Sequence, residues 1–332
     1  MLLDQLYDYL RSEDEEPLLD RSNLTQTQLN RVQFLDFFEG LAMNHVREAN
    51  HPSILIKPNN NQFHFLYINK DSLNAFATIF QDIDVVALNI GTIIEIDNYF
   101  IRAVNTGIFE WLDNQLARRT LVNVLTIMAI EFIILHELGH IYNGHLEFDS
   151  VSRLRRMLLH EGNLESRTIE MDADAYATTR SFSKYLQQNI ESEMKIIASN
   201  KLDMLRFWVF ATHSFFFLFE QTFLNYDEMH LEDYYPRIIR QALNMEISTR
   251  IVSEYEPDLV ENYEKVLNDT FSLAENVYSR IGGRSASRRK EEILTINDPR
   301  VVSYMEQVDE YYESTLRHKL GKYARHNLYH RQ

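Results

Sequence analysis

The chain has no cysteine. That excludes disulfides, Cys-ligated zinc fingers, iron–sulfur clusters and a thiolate nucleophile, and it leaves histidine and carboxylates as the natural metal ligands. Glycine and proline are scarce too, 9 and 6 in 332 residues, so tight turns have little material and long helices are expected. Positive charge is in deficit: 33 Lys and Arg stand against 49 Asp and Glu, a formal charge of −16. A surface of that sign argues against nucleic acid as the main partner, because phosphate binding needs a basic surface that releases the counterions condensed on the nucleic acid. No apolar run reaches membrane-spanning length uninterrupted. The longest stretch, Phe207 to Leu224, is broken by Thr212, His213, Ser214, Glu220 and Gln221, and it reads as a buried helix with a membrane-associated segment as the minor alternative. The N-terminus, MLLDQLYDYLRSEDEEP, carries acids where a secretory signal would be basic, so a cytoplasmic protein is expected.

What is present is the composition of an ordinary globular protein, 45% apolar and 25% charged, long enough for one large core or two modest ones. Apolar residues recur at three- and four-residue spacing over 2–11 and 25–49, which predicts two helices. Ser53 to Ile56 and Phe63 to Ile68 read as short strands around a turn at Pro58-Asn59-Asn60-Asn61, and Val85 to Ile90 as a third strand ended by Gly91. From residue 92 the pattern is helical: 92–117, 119–145, 164–198, 201–225, 233–253, 257–281 and 298–328, the last opened by Asp298-Pro299. The stretch Gly282 to Lys290 is the best linker. These boundaries suggest N-terminal helices over 1–50, a core over 51–253 and a C-terminal helical region over 254–332. Arg317, Lys319, Lys322, Arg325 and Arg331, with His318, His326 and His330, give that region a basic tail, either a handle for an anionic partner or a solvated helix end. The fold class is α+β, predominantly α-helical.

The segment His136-Glu137-Leu138-Gly139-His140 lies at the end of an apolar helical run. Positions four apart on a helix are about 40° apart around the axis, so the two imidazoles project from one face and can share an ion. Glu137 lies about 100° from His136, placed to meet a water rather than to bind metal. This is the H-E-x-x-H spacing of zinc hydrolases, with the Glu as general base. On an apolar helix such polar groups would be costly without a metal. A catalytic site needs a third ligand, and His145, His160 and Glu170 are the candidates. If the helix continues, His145 faces about 180° from His136. Glu170 and Asp174 are i and i+4 on a predicted helix, with Ala173 and Ala177 permitting close approach to the first helix. One carboxylate could bind metal while the other orients a ligating His.

HELGH followed by Glu170-Met171-Asp172-Ala173-Asp174-Ala175-Tyr176-Ala177 resembles the gluzincin metallopeptidases, M48-like enzymes in particular. The order of the Val85–Ala103 stretch, the TIMAIEFIILHELGHIYNGH segment and IEMDADAYA is similar to the Lit-like phage-exclusion peptidases, over roughly residues 80–245. The resemblance implies a gluzincin-like core with a small sheet beside the H-E-x-x-H helix. It implies Zn²⁺ held by His136, His140 and Glu170, with Glu137 as base and Asp174 behind a ligand. It further implies a polypeptide substrate, a host protein cut in phage exclusion. Such families often carry His-Pro and then Arg downstream; here Tyr235-Pro236 precedes Arg237 and Arg240, which leaves Tyr235, Tyr234, His230 and Arg240 as candidate oxyanion donors. The 85–90 strand is expected to receive the peptide as an added strand beside Asn89. Two other readings stand beside the enzyme: a zinc-containing regulator on a peptidase scaffold, and a helical interaction protein suggested by 18 Tyr and 20 Phe. The sequence leaves the oligomeric state open.

Overall fold

The computed structural model describes residues 2–18, 34–109, 112, 114–148, 162–190, 194–219, 237–282 and 299–328. It is α+β and mainly helical, with one small sheet near its N-terminal end. Helix α1 (Leu2–Ser12) and helix α2 (Leu35–Ala49) precede β1 (Gln62–Ile68), β2 (Ala75–Phe80) and β3 (Ile83–Asn89). Then follow α3 (Ile90–Val104), α4 (Gln115–Tyr142), α5 (Gly162–Gln187), α6 (Lys201–Phe219), α7 (Arg237–Tyr255), α8 (Val260–Arg280) and α9 (Pro299–Tyr311). A π-helical turn, Tyr312–Leu316, joins α9 to α10 (Arg317–Leu320). Pro299 is the first residue of α9, as its spacing after Asp298 predicts; Asp298 itself and the Gly282–Lys290 linker beyond Gly282 lie outside the described residues.

The sheet has the order β1-β3-β2, with β1 parallel and β2 antiparallel to β3. Two sequence expectations are corrected here. The 53–56 strand is a turn; its Leu55 makes only an isolated bridge to His326, and the missing strand is Ala75–Phe80. The 85–90 strand exists as β3, but it is central, paired on both sides and buried throughout, so no peptide can add to it, and Asn89 is itself buried with its amide on Ser72. Burial on both faces is why β3 reads as a continuous apolar run. Leu6 and Leu10 of α1 pack with Ile83 and Val85 on one face, while Phe65, Tyr67, Val86 and Leu88 join the main helical core on the other.

Helix α4 is the centre of that core. Asn114 caps its first turn by accepting from the Ala117 N–H at 2.8 Å, and nothing breaks the helix before its end. Among the described residues it alone is long and apolar enough to cross a membrane, yet 83% of the apolar window is buried inside the protein, against α2, α3, α5 and α6. The Phe207–Phe219 part of the other apolar stretch is a packed helix, with Trp208, Phe210 and Phe216 in the same core.

The C-terminal residues close over the end of α4. The Arg325 N–H donates to the Tyr142 carbonyl at 2.8 Å, and the His326 ring stacks on Tyr142 with centroids 4.6 Å apart. Arg325 is buried in a bidentate pair with Asp84 of β3 and reaches Glu147 at 2.9 Å. For Arg325 and His326 the basic tail is therefore neither a handle nor a solvated end: they are 6% and 4% exposed. A second apolar cluster seats Tyr304, Val308, Tyr312 and Leu316 on Ile169 and Met171 of α5 and Ile239 and Leu243 of α7.

Candidate metal centre

The site forms where α4 and α5 cross at closest range. Gly139 makes the approach possible: a Cβ there would stand 3.2 Å from the Ala173 Cα and 3.2 Å from the Tyr176 Cβ. Small residues on both helices thus bring the imidazoles of one to the carboxylates of the other, and Ala173 plays the part its spacing suggests. The His136 Nε2 and His140 Nε2 atoms face each other at 3.1 Å. Glu170 places one oxygen 3.3 Å from the first and the other 3.7 Å from the second.

These three side chains could hold a metal ion, since one donor atom from each lies within 4.8 Å of the others. The donor chemistry fits. Ligands about 2.0–2.2 Å from a tetrahedral zinc stand roughly 3.3 Å from one another, which is the spacing seen. The His136 Nδ1 lies 2.9 Å from Asp174 Oδ1, and a carboxylate only accepts, so Nδ1 carries a hydrogen and Nε2, facing His140 and Glu170, is the atom left to bind a metal in place of a proton. Two such nitrogens and a carboxylate converging in a buried space suit a cation between them.

Electrostatics follow from that convergence. Burial pushes the Glu137 carboxyl up to about 7, against the pull of His136 and a backbone hydrogen bond from Ala77. Burial works to lower the His136 ring, but the hydrogen bonds and charges of Asp174 and Glu170 carry it up to about 10. His140 is driven down to about 3, chiefly by burial, with Glu170 opposing and His136 adding to it. Glu170 would be raised by burial, yet His140, His136 and Arg240 hold it down to about 2. Asp174 likewise resists burial and lies far below the usual carboxylate range because of Arg240 and His136.

Arg240 of α7 grips Asp174 with two bonds, Nε to Oδ2 at 2.7 Å and Nη2 to Oδ1 at 2.8 Å, and lies over the Phe216 ring at 4.9 Å. Its guanidinium is thus committed to the residue behind His136 rather than held free for an oxyanion. Tyr235, Tyr234 and His230, like His160, lie outside the described residues. His145, a candidate third ligand by sequence, is not in the triad; it sits behind His140 and against Asp172, whose part in the site the sequence did not disclose.

Helix α4 reaches the sheet. Asn89 N–H donates to the Asn74 carbonyl, so in the β2–β3 register the residues Phe76, Thr78 and Phe80 face β3 and Ala75, Ala77 and Ile79 turn their backbone groups to the other edge. Helix α4, which carries Glu137, packs against β2, so the outward backbone groups of this edge strand lie on the side of the sheet nearest the cluster.

Residues 104–230 match the family model of Peptidase U49, a stretch that runs from the end of α3 past α6 and contains His136, Glu137, His140, Glu170 and Asp174. No curated protein and no solved structure matches the chain. The family match supports a peptidase, a hydrolase whose substrate is a polypeptide.

Proposed function

We propose that the protein is a zinc-dependent endopeptidase of gluzincin type that acts in the cytoplasm with Glu137 as general base. The observation that carries this reading is the position of Glu137, buried on α4 between His136 and His140 and beside the cluster those two form with Glu170. A bound zinc would supply Lewis acidity toward a carbonyl and toward water. Glu137 takes a proton from the attacking water and returns it to the leaving amine, the two transfers that a carboxylate beside the cluster is placed to make. The backbone groups of Ala75 and Ile79 bind the peptide as an added antiparallel strand, which holds the scissile bond against Glu137. Asp174 fixes the orientation of His136, and Arg240 fixes Asp174. Tyr235, directly ahead of the helix that carries Arg240, is assigned as the second donor to the developing oxyanion.

The Lit-like resemblance supplies the setting, cleavage of a host protein in phage exclusion. A regulator that merely kept the scaffold would have no use for a buried carboxylate at Glu137. The test is metal content per chain by mass spectrometry, followed by proteome-wide detection of new termini in cells expressing wild type or Glu137→Gln. One zinc in both proteins and new termini in wild type alone is the expected result. Cleavage by Glu137→Gln at the wild-type rate would remove the general base from the mechanism, and zinc without cleavage in either would favour the regulator.

A further inference from the structure

We propose that His145 and Asp172 are positioning residues that set the tautomer and orientation of His140 through a two-step relay. The inference rests on the metal-centre reading and adds what holds its second imidazole.

The path begins with a helix break. Asn143 and Gly144 form a turn in which Gly144 has φ +78°, and the chain re-enters a helical turn at His145. Had α4 run straight on, His145 would point away from the cluster. Instead its ring lies against His140, centroids 5.1 Å apart and planes at 72°, with the two Nδ1 atoms 3.1 Å apart. The other ring nitrogen, Nε2, is 2.9 Å from Asp172 Oδ2, and the same oxygen accepts from the Asn143 amide at 2.7 Å. His145 is 1% exposed and Asp172 3%, so solvent cannot substitute for either contact.

The direction of the protons in this chain follows from an ionised carboxylate that only accepts and an imidazole that carries a single hydrogen. His145 must then donate from Nε2 to Asp172. In its neutral form its Nδ1 is left as an acceptor, and the hydrogen between the two rings belongs to His140 Nδ1. That assigns the lone pair of His140 to Nε2, the atom facing His136 and Glu170. His136 obtains the same result in one step from Asp174; His140 obtains it through an intervening imidazole. Outer partners of this kind make a ligating ring more basic and restrict its rotation.

The test uses the full-length chain, stripped of metal and titrated with zinc against a competing chelator. Wild type, His140→Ala, His145→Leu and His145→Gln are compared, with urea unfolding of each stripped protein as the control for folding. His145→Leu keeps bulk but ends the relay, and zinc affinity should fall about 10–100-fold while the stripped protein still unfolds cooperatively. His145→Gln restores an acceptor toward His140 and a donor toward Asp172 and should return affinity close to wild type, a rescue that a purely space-filling role would not produce. If His145→Leu binds as wild type does while His140→Ala does not bind, the relay is wrong and the metal centre stands. If wild type itself takes up no zinc, the metal-centre reading fails and carries the relay with it. Imidazole nitrogen spectra of the zinc-loaded wild type need no variant: protons at His140 Nδ1 and His145 Nε2 are expected, and a proton on His145 Nδ1 overturns the proposal.

Discussion

Two glycines share a left-handed backbone and differ in surroundings, which makes a matched pair of substitutions informative. Gly107 and Gly144 both have φ +78°; a Cβ on Gly107 would meet nothing within 4 Å, whereas one on Gly144 would lie 2.5 Å from the Ala324 nitrogen and 2.6 Å from the Tyr323 carbonyl carbon. Forcing alanine into that region costs about 1–2 kcal/mol, offset by about 0.4–1 kcal/mol from the stiffer unfolded chain. Gly107→Ala should therefore lose at most about 1–1.5 kcal/mol. At Gly144 the obstructing atoms are backbone and must retreat by about 0.9 Å to reach an ordinary 3.4 Å contact. Overpacking of this kind costs about 1–3 kcal/mol. The displacement also strains the Arg325-to-Tyr142 hydrogen bond, worth about 1 kcal/mol. Gly144→Ala should then be about 2–4 kcal/mol less stable than Gly107→Ala, read from urea midpoints at unchanged slope. Equal losses in the two variants would show that the 323–325 segment does not press on the turn. Zinc affinity should drop in Gly144→Ala alone, since His145 follows the turn.

Three further outcomes are expected. Arg325→Met strands the Asp84 carboxylate inside the sheet, left among the described residues with the Asn61 and Asn59 amides, so stability should fall by about 3–5 kcal/mol; a loss under about 1 kcal/mol in the urea titration would mean the pair is solvated. In chelator-treated protein, the raised His136 contributes stability that is complete below its unfolded value of 6.5 and is lost as pH climbs through about 10. Unfolding free energy should therefore decline by a few kcal/mol across that window, and zinc should flatten the decline, whereas a curve that is level without metal would contradict the His136–Asp174–Glu170 geometry. Ala75→Pro removes an outward N–H of β2 while sparing the β3 ladder; KM for peptide should rise with zinc content unchanged, and unaltered kinetics would exclude edge pairing there.

Much of this site was legible because its information is helical and local. His136, Glu137 and His140 share a turn of one helix, Glu170 and Asp174 share a turn of another, and the alanines beside them announce a close crossing. The sheet was harder to read. Ala75-Phe76-Ala77-Thr78-Ile79-Phe80 is half-buried along its whole length and shows no alternation, while β3 is buried on both faces, so neither strand reveals by pattern which is central and which is an edge. His145 was misplaced for a different reason. Its angular position was worked out on an unbroken helix, although Asn143-Gly144 is a dipeptide that commonly ends one. Arg325 was hidden by distance: nothing in a run of basic residues says which one finds Asp84, 241 positions earlier.

The clasp formed by residues 323–326 has a temporal consequence. During synthesis both ligand-bearing helices leave the ribosome well before the strand of chain that pins the Asn143-Gly144 corner, so a nascent polypeptide displays HELGH without its final brace. The finished site would thus arrive late, only after the roughly 150 residues between Glu170 and the clasp have been made.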